Sequence, residues 1–359
     1  GDWNSDVCSS DLGSQMSCSI EMIAYSDFSL SEVIDSTNIV FSDGFTKDPE
    51  RFLIATLNYK SPAFKNYVLE ITVTDVYGDK VYMKYLPCSA NKIQGIHSFI
   101  AQNNFDFLPL IQPVAASTDS IAFIARADHP QGVRLRYFKN DYPLAAPPAQ
   151  QGAYRKFDYS SETQVIYEFN KTGYISLPEK GLYHLQYDTL EKSGYTLFRF
   201  DDNYPRIKGV SAMIECLRYI TTQKEHDELR LSKNEKDAFE DFWRKSAGSM
   251  QNAKPFINEY YTRVQNANTY FLSYTEGWKT DRGMIYIVMG KPARVELDED
   301  SETWTYSTIN GQNLKFEFKK IQNPFTENDY QLVRSELFEI PFKTQVEAWR
   351  NGLPEVLQH

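Results

Sequence analysis

Cysteine, histidine and long apolar runs are all scarce in this 359-residue sequence. The four cysteines include no Cys-x-x-Cys, and the five histidines (His97, His129, His184, His226 and His359) are scattered, each read as structural or exposed. No Cys/His cluster has the ligand spacing of a zinc site, and no metal or cofactor is expected. No apolar run approaches the ~18–20 residues of a membrane-spanning helix. Basic residues are outnumbered, 38 against 48 acidic, for a net charge of −10. That balance argues against a nucleic-acid or anionic-membrane surface, either of which needs clustered Lys and Arg. What the chain does have is aromatic: 24 Tyr and 23 Phe read as folded and β-rich, not as disorder. At ~100–200 residues per domain, the length suggests two or three domains.

The first dozen residues read as foreign. Asp2-Trp3-Asn4-Ser5-Asp6-Val7-Cys8-Ser9-Ser10-Asp11-Leu12 matches, apart from Asn4, the translation of a common sequencing-library adapter. Residues 1–12 are therefore set aside as an assembly artefact. The natural start is expected upstream, so a missing signal peptide says nothing about compartment. Without Cys8, three cysteines remain. Cys18 could bridge to Cys88 or be a lipidated residue behind a lost signal, with a free thiol as the default.

Residues 13–130 have the pattern of a β module. Phe52 to Leu57 is a short apolar run, and Tyr67 to Val76 alternates, which puts Leu69, Ile71 and Val73 on one buried face. Tyr77-Gly78-Asp79-Lys80 is a turn signal and Val81, Met83 and Tyr85 resume the alternation, which predicts a hairpin. Ser120 to Ala127 adds a strand. A second β module is expected over 131–204, from Val133-Leu135-Tyr137, Gln164–Phe169, Gly181–Tyr187 and Gly194–Phe200, with Ala145 to Gly152 as an exposed loop because its paired prolines cannot donate to a ladder. Short strands separated by turns suggest sandwiches of immunoglobulin-like type.

After Pro205 the apolar period becomes helical. Val210, Met213, Ile214, Leu217 and Ile220 form one stripe. Ser232-Lys233-Asn234-Glu235 reads as a capping box before Phe239, Phe242, Trp243, Ala247 and Met250. Pro255 fits the first turn of a third helix, whose stripe is Ile257, Tyr260, Tyr261, Val264, Ala267 and Phe271. Strands then return: Met284–Met289, ended by the turn Gly290-Lys291-Pro292, then Glu302–Tyr306, Leu314–Phe318 and Tyr330–Arg334. Helices first and strands afterwards indicate α+β over 205–359, with the helices on one face of an antiparallel sheet. The acidic run Glu296, Asp298, Glu299, Asp300, Glu302 lacks EF-hand spacing and reads as a solvated loop.

The densest stretch is Gly277-Trp278-Lys279-Thr280-Asp281-Arg282-Gly283. Together with Phe242-Trp243, Tyr261-Thr262-Arg263, Ala267-Asn268, Gly290-Lys291-Pro292 and Trp304-Thr305-Tyr306, taken in order over roughly Pro205 to Arg334, it resembles the GWxTD-domain family. The resemblance implies a Bacteroidota-type cell-envelope protein, periplasmic or associated with the outer membrane, exported or lipid-anchored. It carries over no chemistry; an envelope protein or a cell-wall glycan is the partner expected from tandem β modules, which present edges and loops to partners.

Two readings of the signature stand side by side. In the functional one, Asp281 sits beside Arg282 and Arg263 with Trp278 as a stacking wall and Thr280 at hand, a set that could bind a sugar or peptide end. Asp281 could then also serve as a general base in an envelope hydrolase. In the structural one, Gly277 and Gly283 allow a tight corner, Trp278 plugs the core, and Thr280 and Asp281 hydrogen-bond loop amides, Asp281 also pairing bidentately with an arginine while Lys279 faces solvent. No adjacent nucleophile or phosphate-cradling loop accompanies the element, since a Gly-Lys-Pro turn is not a P-loop. The expectation is a multidomain, mainly β chain: tandem immunoglobulin-like sandwich modules followed by an α+β domain, acting by binding rather than catalysis.

Overall fold

The computed structural model describes residues 17–27, 29–42, 57–59, 66–76, 80–89, 99–105, 109–110, 112–125, 132–139, 142–150, 159–169, 171–187, 192, 194–307 and 313–352. The adapter-like segment, Phe52–Thr56, Tyr77-Gly78-Asp79, His97, His129, Gln151-Gly152, Leu353 and His359 lie outside the described residues. The chain divides into two compact units, residues 1–93 and 94–359.

The first unit carries strands β1 (Ser17–Tyr25), β2 (Val33–Ser42), β3 (Asn66–Asp75) and β4 (Lys80–Ser89), antiparallel in the order β2-β1-β3-β4. The β3–β4 hairpin is the expected one, Asn66 opposite Ser89 and Asp75 opposite Lys80. Period-two geometry sends Met22, Ala24, Tyr67 and Leu69 into one core, with Ile71, Leu86, Cys88, Leu57 and Tyr59 packed against it. Val40, Val81 and Met83 are exposed. No disulfide joins Cys18 to Cys88. Cys18 lies opposite Asp75 at one end of β3 and Cys88 opposite Tyr67 at the other, eight residues away at ~3.3 Å each, far beyond bridging distance.

The second unit opens with two sheets around one core. β7 (Gly132–Lys139), β8 (Thr163–Glu168), β10 (Gly181–Gln186) and β11 (Tyr195–Arg199) form an antiparallel sheet in the order β11-β10-β7-β8. β5 (Phe99–Asn103), β6 (Ser120–Ala125) and β9 (Ile175–Ser176) form the other, in the order β5-β6-β9. Between them lie Phe99, Ile121, Phe123, Leu135, Tyr167, Leu185, Tyr195 and Leu197. The buried Tyr167 hydroxyl accepts from the Phe123 amide at 3.0 Å and donates to the Gly173 carbonyl at 2.8 Å. The other face of the larger sheet is covered as well: Phe138, Leu182 and Phe198 pack with Tyr274 and Phe325 of the C-terminal part. That double cover is why every residue of β10 and β11 is buried, polar ones included.

The C-terminal part runs α1 (Val210–Cys216), α2 (Gln223–Arg230), α3 (Glu235–Ala247), α4 (Met250–Tyr270) and α5 (Asp281–Met289), then an antiparallel sheet and α6 (Glu339–Arg350). The sheet is β12 (Arg294–Leu297), β13 (Ser301–Ser307), β14 (Asn313–Lys320) and β15 (Tyr330–Leu332), paired in chain order. Helical stripes (Leu217, Trp243, Tyr260, Val264, Ala267, Ile287) and sheet aromatics (Trp304, Tyr306, Phe316, Phe318) share one core, the α+β arrangement expected.

Three local expectations need correction. Met284–Met289 is helix, not strand: every residue of the run except Tyr286 is buried, so its apolar surface encircles the axis and shows no period in the sequence. The cap of α3 is Asn234, accepting from the Asp237 amide, while Ser232 donates to the Asn234 carbonyl. The capping box belongs instead to Thr222 and Glu225, ahead of α2. Pro255 lies inside α4, which starts from a Ser249 cap.

Candidate functional site

The signature begins where α4 ends. Gly277–Lys279 forms a single 3-10 turn wedged between the last turn of α4 and the first turn of α5. A Cβ on Gly277 would stand 2.0 Å from the Ala267 carbonyl oxygen, and one on Gly283 would stand 2.0 Å from the Gly277 carbonyl oxygen. Backbone meets backbone at both places, which only glycine permits. The fully buried Asn268 then fixes the turn: its Oδ1 accepts from the Trp278 amide at 3.0 Å, and its Nδ2 donates to the Pro205 carbonyl at 2.9 Å. The Trp278 carbonyl accepts from the Tyr219 hydroxyl at 2.9 Å, and its ring sits edge-on to that tyrosine within the main core.

Thr280 caps α5. Its hydroxyl accepts from the Gly283 amide at 3.0 Å and donates to the Gly277 carbonyl at 2.8 Å. Asp281 follows in the first turn, where the helix dipole favours a carboxylate. Its Oδ2 accepts from the Leu332 amide at 2.8 Å and from Arg334 Nη1 at 3.0 Å, while Oδ1 accepts from Arg334 Nη2 at 2.6 Å. This is the bidentate pair the structural reading requires, closed by an arginine 53 residues further on.

Arg282 turns the other way. Nη1 donates to Glu302 at 2.8 Å, and Nη2 reaches the Asn328 carbonyl at 3.1 Å as well as its side-chain oxygen. The guanidinium lies over the Tyr330 ring at 4.1 Å. Glu302 also accepts from Trp304 Nε1 at 2.7 Å. Both ion pairs are buried, with side-chain exposures of 7% and 8% for Arg282 and Glu302, and 8% and 10% for Arg334 and Asp281.

The five candidate residues therefore do not converge. Arg263 pairs with Glu259 at 2.6 Å, lies over Trp349 and packs on Gly290, whose Cβ would come within 2.9 Å of its Nη1. Asp281 contacts neither Arg263 nor Arg282 through a hydrogen bond or ion pair. The reason is helical direction: residues 281 and 282 are neighbours on α5 and leave it about 100° apart. Lys279 is half-buried, paired with Glu276 at 2.9 Å and lying over the Trp278 ring. Four partners escaped the sequence reading: Arg334, Glu302, Asn328 and Asn268. Glu302 carried a signal, since it alternates with Trp304 and Tyr306 on the inner face of β13, and an acid there needs a buried cation.

One more contact set meets this corner. The segment 142–150 is not the exposed loop expected of its prolines. Ala145 and Pro148 are buried, and Leu144 packs against the main core beside Ala145. The Ala145 amide donates to the Lys279 carbonyl at 3.0 Å, the Ala146 carbonyl accepts from Arg334 Nη2 at 3.1 Å, and the Pro148 carbonyl accepts from the Ser335 amide at 3.2 Å.

Residues 181–351 match the family model of the GWxTD domain. The chain carries a GWxTD domain. The match takes in β10 and β11 of the β11-β10-β7-β8 sheet, the two strands buried on both faces, together with α1 to α6 and the C-terminal sheet. Neither a curated protein nor a solved structure matches the chain.

Other groups of the GWxTD domain are poorly placed for chemistry. Burial pushes the Cys216 thiol well above its usual range, so it is no thiolate nucleophile. His184, enclosed by Phe138, Tyr159 and Phe325 and bonded to Thr196 and the Lys192 carbonyl, is pushed down to about 4 by burial and stays neutral. Among the described residues no three His, Cys, Asp or Glu side chains are grouped to hold a metal, and no helix is long and apolar enough to cross a membrane.

Proposed function

We propose that this is a cell-envelope protein that works by binding or assembly, and that its signature is a clasp rather than a reaction centre. The observation that carries the reading is the use of the signature's polar groups. Thr280 caps a helix, both Asp281 oxygens are engaged by Arg334 and the Leu332 amide, and both terminal nitrogens of Arg282 are engaged by Glu302 and Asn328. A general base needs a carboxylate within reach of a substrate proton. Here Asp281 is tied to a guanidinium and enclosed.

The envelope assignment, periplasmic or at the outer membrane, rests on the family resemblance; an envelope protein or a cell-wall glycan as partner follows from that setting and from the edges and loops that tandem β modules present. The immunoglobulin-like character of the β modules is part of the same proposal, supported by the two sheets that share one core in residues 94–204. The test is capture from an envelope extract with the parent chain and with Thr280→Ala and Arg282→Lys variants that keep a native near-UV circular dichroism spectrum. The reading expects the same partner with all three. A partner lost by a folded variant would place the contact surface on the signature. Turnover of envelope peptide or glycan by the parent, absent in a folded Asp281→Asn variant, would establish a hydrolase instead.

A further inference from the structure

The 142–150 segment is bound to the GWxTD domain in the way a peptide ligand is bound. The atoms that bond Ala145, Ala146 and Pro148 belong to the family-matched region: the Lys279 carbonyl, the Arg334 guanidinium and the Ser335 amide. The segment itself lies upstream of that region. These three hydrogen bonds meet its backbone, at the Ala145 amide and the Ala146 and Pro148 carbonyls, and the Gln150 amide donates to the Pro147 carbonyl at 3.0 Å, which closes the segment in a turn. The segment forms a strap whose side chains also make contacts: Ala145 and Pro148 are buried, Leu144 packs against the main core, and the Tyr142 ring meets Tyr274 edge-on. Pro147 and Pro148 restrict the residues before them to extended geometry, so the segment is organised before it docks. Asp281 takes part indirectly, by orienting Arg334 through both carboxylate oxygens.

From this geometry we propose that the groove between the Gly277–Lys279 turn and Arg334-Ser335 is a peptide-binding site of the GWxTD domain. In this chain residues 144–148 fill it in cis. Its ligand class is a peptide with a small residue followed within three positions by proline, recognised through backbone hydrogen bonds. The proposal rests on the clasp reading, because a signature that oriented Arg334 toward a reaction would leave the groove without its central donor.

The experiment uses the full chain and a fluorescein-labelled peptide of sequence Tyr-Pro-Leu-Ala-Ala-Pro-Pro-Ala-Gln, copied from Tyr142–Gln150. Ala145→Arg places a long charged side chain in the buried seat and ejects the strap. Saturable binding by anisotropy is expected for this variant, at least about tenfold tighter than for the parent, and lost when Arg334→Ala is added. A folded Ala145→Arg chain that ignores the peptide, or binds it equally well without Arg334, overturns the site. Hydrogen exchange on the parent serves if that variant does not fold. The Ala145 amide is expected to exchange by local opening, faster than the Ile287 amide in α5, and faster still in Arg334→Ala. Equal protection of Ala145 and Ile287 would mean that the strap leaves only on global unfolding, which overturns the proposal. In either failure the clasp reading stands or falls separately, on the stability of signature variants.

Discussion

Asp281 and Arg282 are adjacent in sequence, equally buried and each half of an ion pair, yet the two pairs differ in what they join. Arg282–Glu302 ties α5 to β13 and, through Asn328, to the carbonyls of Tyr270 and Leu272 at the end of α4 and just beyond it. It is internal to the α+β core. Asp281–Arg334 ties α5 to β15 and then continues outward to the strap through the Ala146 carbonyl. One pair holds the domain to itself; the other holds a neighbouring segment to the domain. Buried pairs are weak evidence for net stability, because desolvation offsets their attraction, but removing one partner is costly. What they specify here is which elements meet.

Both pairs hang from one corner, so the largest effect should come from removing the corner. Gly277→Ala drives a methyl into the Ala267 carbonyl and misplaces residues 281 and 282 together. The expected outcome is loss of the folded GWxTD domain, read as loss of the near-UV circular dichroism signal. Next comes the internal pair alone. Glu302→Ala strands the Arg282 charge and deprives Trp304 Nε1 of its acceptor, which should cost ~3–5 kcal/mol in urea unfolding.

A third prediction separates both pairs from the rest of the molecule by pH. His184 is held neutral when folded, its value lowered to about 4 from 6.5, so its contribution is complete above pH 6.5 and is lost as pH falls toward 4. The loss should reach about 2.4 kcal/mol and disappear in His184→Gln, measured by urea unfolding at pH 7 and 4.5. Glu225, whose carboxyl Arg350 holds down to about 2, gives way lower still, between its unfolded value near 4.5 and about 2. The smallest effect is expected from Arg334→Ala. Asp281 keeps the Leu332 amide and the α5 N-terminus, so about 2 kcal/mol should be lost, with faster exchange at the Ala145 amide as the distinguishing sign.

Much of this architecture is legible in the residues. Leu69 and Ile71 alternate as their core demands, and Tyr260, Val264 and Ala267 mark the inner stripe of α4. Where reading fails, the cause is physical. α5 is apolar nearly all round, so helix and strand patterns coincide. An arginine partner for Asp281 is foreseeable from a carboxylate beside an apolar helix, but Arg282 and Arg263 stand nearer in the sequence, and only the fold brings Arg334 to it. The strap is opaque because its contacts are made by backbone atoms, which every sequence has, and its prolines suggest exposure when they actually restrict the segment to a shape that docks. His184 and Gln186 are polar on an alternating strand, which reads as a solvated face until the C-terminal domain is seen to cover it.

The central claim is that the signature carboxylate holds structure together. Urea unfolding of Asp281→Asn tests it most directly, since the substitution keeps size and shape while removing the charge and turning an amide donor toward Arg334. A loss of ~2–4 kcal/mol is expected, with the strap amide Ala145 exchanging faster. A variant as stable as the parent, or more stable, would mean that Asp281 is kept at a cost for chemistry or binding, and would contradict the clasp.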